Sequence, residues 1–325
     1  MRALVCKQYG PPEDLVLETI DDPTPGQGQV LVGLKAAGVN FADLLMFAGK
    51  YQVRAKPPFV PGAEGAGVVE AIGDGVTRFK VGDRVILTSM GGAFAEKCTV
   101  PEQRIFPILP GLDYPQAAGF PIAYGTSYHA LRQRAGLRAG ETLLVLGAAG
   151  GVGISAVEIG KALGARVIAA ASNEEKLAFA RSAGADETVN YSAVSLKDAV
   201  GKLTDGKGVD VVYDPVGGEL AQQAFRATAW HGRHLVIGFT SGDIPDFPAN
   251  IALLKERSII GVYWGDWAAR DPEGQARNIR EMSELIAEGS LRPRVTGQYP
   301  LEKYIDAFDQ VTGRRVMGKV VLTMD

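Results

Sequence analysis

Three shortages constrain this chain before any motif is considered. Of its 325 residues only two are cysteine and three are histidine. Cys6 and Cys98 stand far apart and do not read as a disulfide framework. They suit a reducing, cytoplasmic setting. So few Cys and His leave little from which to build a metal site. Basic residues do not exceed acidic ones: Lys and Arg number 34 against 37 Asp and Glu, a formal net charge of −3, and no extended Lys/Arg run occurs. The electrostatic footprint of a nucleic-acid binder is therefore missing. No stretch reaches the roughly 18 consecutive apolar residues of a membrane span, so none is expected. The N-terminal M-R-A-L-V-C-K-Q-Y-G lacks the apolar core of a secretion signal.

What is present is an ordinary globular balance, 46% apolar and 22% charged, with glycine raised to 41 residues. Glycine serves where backbone turns sharply or approaches a ligand. The length suggests about two domains. Residues 1–118 read as β-rich, within a first domain of 1–120: short apolar runs such as 29–35, 67–72 and 83–88 alternate with Pro/Gly turns, as in a small barrel or partly open β-fold. After residue 120 strand and helix patterns alternate, with strands expected at 142–146, 166–171, 187–190, 209–214, 234–238 and 258–262 and helices at 151–163, 173–183 and 219–228. That alternation predicts an α/β fold with a doubly wound parallel sheet. Residues 291–325, with a helix over 301–311 and a last strand over 319–323, are expected to return to the first domain. The inserted domain is thus 121–290.

The most informative segment is V-L-G-A-A-G-G-V-G-I-S, residues 145–155. Gly147, Gly150 and Gly153 recur between a strand and a helix, where the chain must turn, bring backbone N–H groups to a pyrophosphate and pack helix on strand. Ala149, Gly150, Gly151 and Val152 are the expected phosphate contacts. An NAD site usually places Asp or Glu at the end of the next strand, on the ribose hydroxyls. Here that strand ends A-A-A-S, with Ser172 and, one helical turn on, Lys176. This combination favours the 2′-phosphate of NADPH. Ser172-Asn173-Glu174-Glu175 also reads as a capping box, in which Ser172 caps its helix.

The motifs G-V-N-F-A-D (38–43), P-G-A-E-G-A-G-V-V (61–69), V-G-D-R-V (81–85), G-A-A-G-G-V-G (147–153), D-P-V-G-G (214–218) and G-K-V-V-L (318–322) together resemble the medium-chain dehydrogenase/reductase superfamily. Within it the likeness is to the zinc-independent quinone oxidoreductases of zeta-crystallin type. The resemblance implies a GroES-like β-barrel substrate domain, an inserted Rossmann domain, an active site in the cleft between them and a homodimer or a dimer of dimers. Zinc relatives carry Cys at the position of Asn40, His-Glu at Ala63-Glu64 and a Ser or Thr at Ala42. The resemblance therefore implies no metal, and His231 and His234, the closest-spaced His pair, read as part of a turn.

By the same resemblance Asn40 and Tyr51 stand beside the nicotinamide. Asn40 offers an amide donor to the acceptor's oxygen, and Tyr51 a hydrogen bond or a proton. Asp43 is expected to order the loop. Thr126, Tyr191 and Phe239 match the cofactor cleft. Trp264 and Trp267 are expected either to line the acceptor site or to lie at a dimer interface. The expected function is NADPH-dependent, zinc-free hydride transfer to a quinone, a small-molecule electron acceptor. Reduction of an enone or enoyl-CoA in the same cleft is the alternative. A third class, a cofactor-binding sensor or RNA-binding protein without turnover, is disfavoured by the acidic balance and the retained Asn40 and Tyr51.

Overall fold

The computed structural model describes residues 1–324, which divide into two compact units. One comprises Met1–Ile122 and the chain from Pro293 on; the other is Ala123–Arg292. The divisions fall two residues beyond the expected ones, 120/121 and 290/291.

The first unit opens with the antiparallel pair β1 (Arg2–Val5) and β2 (Val16–Thr19). Its sheet begins with β3 (Gln29–Val39), which leads into a short helix, α1 (Phe41–Phe47). Strands β4 (Glu64–Ile72), β5 (Arg84–Thr88), β6 (Lys97–Pro101) and β7 (Ile105–Pro107) follow, then helix α2 (Tyr114–Gly119).

The second unit carries the parallel sheet. Helix α3 (Pro121–Tyr128) runs into a π-helical turn over 129–134. The strands are β8 (Thr142–Leu146), β9 (Arg166–Ala171), β10 (Glu187–Asn190), β11 (Val209–Asp214), β12 (Thr228–Val236) and β13 (Ser258–Gly261). Between and after them come α4 (Gly151–Ala162), α5 (Glu174–Ser182), α6 (Leu196–Leu203), α7 (Gly218–Arg226), α8 (Ala249–Leu253), α9 (Trp264–Arg270) and α10 (Pro272–Ala287). The sheet order is β10-β9-β8-β11-β12-β13, with every pairing parallel. This is the doubly wound order whose strand direction of travel reverses between its first and fourth strands, here β8 and β11. Helices cover both faces, so Leu143, Leu144, Val145 and Leu146 are fully buried, as expected of a central parallel strand.

The chain then returns to the first unit with β14 (Val295–Pro300), α11 (Tyr304–Thr312) and β15 (Lys319–Thr323). The return is cemented by aromatic packing. Phe308 of α11 meets Phe47 and Phe94 edge-on, at centroid distances of 5.3 and 5.7 Å. β3 is the hub of this unit, pairing antiparallel with β4, β6 and β15. Val320 pairs with Val39 and Val321 with Gly38, while Gly65 pairs with Ala37. This double register brings three separate segments, at Lys319, Asn40 and Glu64, to one end of the sheet.

Candidate active site

In the second unit the glycine loop has the geometry its spacing requires. Gly147 has φ +56°, a left-handed turn out of β8. Its carbonyl accepts from Gly150 N–H at 3.0 Å, closing the loop. Gly153 is needed for another reason: a Cβ there would lie 2.2 Å from the Gly147 carbonyl oxygen, backbone that a flexible side chain cannot relieve. Its absence lets α4 start hard against the strand exit. Gly150 is the N-cap of α4 and no side chain caps it. No side chain occupies the first-turn N–H groups at the helix's positive end, a backbone cradle of the arrangement in which helix termini bind anions. Val152 is fixed from behind, since its carbonyl accepts from the hydroxyls of Ser127 and Ser155, both at 3.0 Å. Ser127 is in turn 2.7 Å from the buried Tyr213 hydroxyl. Thr126 is thereby attached to the cradle through its neighbour.

At the end of β9 the Lys176 ammonium donates to Ser172 Oγ at 3.4 Å. The capping expectation is corrected: Asn173, not Ser172, is the N-cap of α5, accepting from Lys176 N–H at 2.9 Å. Asn173 has the extended backbone of an N-cap, which leaves the Ser172 hydroxyl for Lys176. Tyr191 follows β10 and donates its N–H to Ala171 O at 3.2 Å, so it too stands at the end of β9. After β11, Asp214 Oδ1 accepts from Val216 and Gly217 N–H, which folds D-P-V-G-G over. Phe239 lies against that turn, 3.0 Å from where a Gly217 Cβ would be. Gly147 packs against the same turn, at Val216. These residues thus gather at the C-terminal ends of the strands, around the reversal, where open α/β sheets bind ligands.

His231, His234, Trp264 and Trp267 each have neighbours within this unit. The His pair lies in β12 and not in a turn: His234 is fully buried, its Nε2 3.0 Å from Asp214 Oδ2, while exposed His231 is a left-handed residue within the strand. Trp264 covers Gly125 and donates Nε1–H to Gln275 at 3.0 Å, and Trp267 stacks on His129.

In the first unit a buried polar cluster surrounds Asn40. Lys319 Nζ donates to Val39 O at 3.0 Å, Asn40 Oδ1 at 2.7 Å and Glu64 Oε1 at 2.7 Å. Asn40 Nδ2 donates to the same Glu64 oxygen at 2.8 Å and, at 3.4 Å, to Gly38 O. The other Glu64 oxygen accepts from Ile122 N–H at 2.8 Å. Glu64 is completely buried and the Lys319 side chain is 7% exposed. The space is made by glycine: a Cβ on Gly38 would sit 2.3 Å from Glu64 Oε1, and the Lys319 stem packs on Gly119. Asp43, fully buried in α1, accepts from Asn40 N–H at 2.9 Å, which orders the loop as expected. Its Oδ1 has no hydrogen-bond partner among the described residues. Burial pushes the Asp43 carboxyl up to about 7, and the Glu64 carboxylate adds to the rise. Tyr51 lies beyond α1, half-buried, with its N–H on Leu45 O.

Neither Lys319 nor Glu64 was singled out by sequence reasoning as a site residue. The one signal was a charged residue at the head of an apolar run, K-V-V-L, and another inside a glycine-rich turn, G-A-E-G.

Family models match in both units: an alcohol dehydrogenase GroES-like domain over 26–110 and a zinc-binding dehydrogenase over 151–288. The GroES-like and Rossmann-like reading of the fold is thereby borne out. A quinone oxidoreductase-like protein 2 homolog from Nematostella vectensis is 39% identical, covering 99% of this chain and 88% of its own length. The quinone oxidoreductase of Pseudomonas syringae superposes with a TM-score of 0.93 at 34% identity, over 99% of both chains. That of Escherichia coli, solved in complex with NADPH, superposes with a TM-score of 0.94 at 28% identity, over 100% of both. The backbone cradle, the motifs and this full-length likeness lead to one assignment: the chain belongs to the quinone oxidoreductase family of the medium-chain dehydrogenase/reductase superfamily.

Proposed function

We propose that this protein is an NADPH-dependent oxidoreductase that transfers hydride to a quinone without zinc. The observation that carries the cofactor choice is the pairing of Lys176 with Ser172 at the end of β9, where no acid stands to repel a 2′-phosphate. Ala149, Gly150, Gly151 and Val152 hold the pyrophosphate on the first turn of α4, while Lys176 and Ser172 take the 2′-phosphate. Thr126 and Phe239 flank the nicotinamide and Tyr191 the adenosine side. Bound NADPH supplies the hydride. Asn40 donates to the acceptor oxygen as negative charge grows on it, and Tyr51 delivers the proton.

A zinc ion does not fit the residues at the expected ligand positions. Asn40 and Ala63 are not zinc ligands, and Glu64 is held by Lys319 and Asn40. Among the described residues, no group of three or more His, Cys, Asp or Glu stands close enough to hold a metal.

The test is NADPH oxidation with a naphthoquinone, cyclohexenone and crotonyl-CoA, with and without a chelator. Naphthoquinone turnover untouched by chelation is expected. Faster turnover of crotonyl-CoA or cyclohexenone would make the alkene reductase the better reading, and binding without turnover would favour a sensor. Inhibition by chelator would sink the zinc-free claim.

We also propose a homodimer, in the cytoplasm. No helix among the described residues is long and apolar enough to cross a membrane, and both cysteines are free thiols. β13 is an edge strand, and Ile259 on it, Tyr263 after it and Leu253 and Leu254 before it are exposed. A two-fold axis beside that edge would pair β13 antiparallel with its copy and cover these side chains. Light scattering should give a dimer, and Ile259→Lys a monomer.

A further inference from the structure

We infer that Lys319, with Glu64, is a positioning residue that locks the Asn40 carboxamide in one orientation for the reaction. The inference rests on the proposed role of Asn40 at the acceptor oxygen. An asparagine side chain is nearly symmetric in shape, and its amide flips unless its surroundings distinguish oxygen from nitrogen. Here they do. A lysine ammonium can only donate and a carboxylate can only accept, so Oδ1 must face Lys319 and Nδ2 must face Glu64. All three Lys319 donors are engaged, to Val39 O, Asn40 Oδ1 and Glu64 Oε1, so the ammonium cannot turn away without losing bonds in a buried site. Each partner comes from a different strand end, and Glu64 and Lys319 are each tied to backbone as well: Glu64 accepts from Ile122 N–H and Lys319 donates to Val39 O. Such a lock holds the second Nδ2 hydrogen, restrained only by the 3.4 Å contact to Gly38 O, in a fixed direction. A donor preorganised in this way stabilises developing negative charge without having to reorient.

The test is a double-mutant cycle of Lys319→Met with Asn40→Ala, read by naphthoquinone kinetics, NADPH affinity and the ¹⁵N side-chain amide spectrum. Lys319→Met should lower kcat about 10- to 100-fold, less than or equal to the loss of a full oxyanion donor, with NADPH Kd within about twofold of wild type. In the Asn40→Ala background it should cost almost nothing further, because its effect runs through Asn40. The Asn40 side-chain resonances should shift or broaden in Lys319→Met, and Lys319→Arg should recover part of kcat. Unchanged kcat, an equal loss in both backgrounds, or unmoved Asn40 resonances would overturn the inference. Lys319→Met strands the buried Glu64 charge and so risks misfolding. Lys319→Met/Glu64→Leu removes both charges, a replacement that buried pairs often tolerate, and it decides the question in that event: a folded double variant with wild-type kcat and Asn40 resonances refutes the lock. If the wild type reduces none of the acceptors, the quinone reading fails, and the amide spectrum alone then judges the lock.

Discussion

The two units hold their functional groups by opposite means. The cradle of the second unit is main chain: a left-handed glycine, an uncapped helix and a glycine whose missing Cβ lets the two touch. It is contiguous, running from β8 into α4. The cluster of the first unit is side chain: an ammonium, a carboxylate and a carboxamide, with Lys319 and Glu64 255 residues apart in sequence. A main-chain site fails when atoms are added, because nothing in it can rotate aside. A side-chain site fails when a charge loses its counterpart, because burial makes the remaining charge costly.

Four substitutions would sharpen or break this contrast. The largest effect is expected for Phe308→Ala, which removes the ring that joins α11 to Phe47 and Phe94. It should cost about 3–5 kcal/mol in denaturant unfolding, and hydrogen exchange should accelerate in the first unit while the parallel sheet of the second keeps its protection. Equal acceleration in both would break the contrast. Asp43 gives a comparable but pH-dependent effect. Its folded pKa of about 7 lies above the ordinary 3.8, so between those values the folded state keeps a proton that the unfolded chain releases. Stability therefore falls as pH rises through that window, by on the order of 4 kcal/mol at about 1.4 per unit. Asp43→Asn should abolish that slope in stability measured from pH 4 to 8; an unchanged slope would show that the carboxyl is not the group responsible.

Gly153→Ala tests the main-chain site by adding one methyl 2.2 Å from a carbonyl oxygen. A loss of about 1–3 kcal/mol is expected from overpacking, together with weakened NADPH binding by fluorescence titration, since α4 must shift away from the loop. Lys176→Ala should have the smallest effect, about a tenfold rise in the Michaelis constant for NADPH with NADH little changed, the scale of one charge-assisted contact. Equal effects on both cofactors would refute contact with the 2′-phosphate.

The same contrast governs what could be read in the sequence. β8, β9, β10, β11 and β15 have the expected bounds, and for β8 and β9 the reason is that central buried strands are apolar runs closed by glycine or serine. The cradle was legible because each of its glycines answers a local backbone demand. The apolar pattern predicts β12 over 234–238, and the strand spans Thr228–Val236. Its Trp230-His231-Gly232 stretch carries turn signals, and the strand indeed passes through a left-handed residue and a register irregularity there. The capping alternative for Ser172 arises because Ser and Asn are equally good caps and stand side by side, and the cap falls to Asn173. Lys319 and Glu64 were illegible as a pair for a deeper reason: an ion pair leaves no periodicity, and only the β3–β4 and β3–β15 registers bring the two together.

That register also sets an order of assembly. The second unit is continuous in sequence and is complete once Arg292 has been synthesised. The first must keep Glu64 without its cation until β15 arrives, and cannot bury it cheaply before then. The last strand therefore brings the counter-charge on which the burial of Glu64 depends, so the first unit closes its core only when β15 is in place.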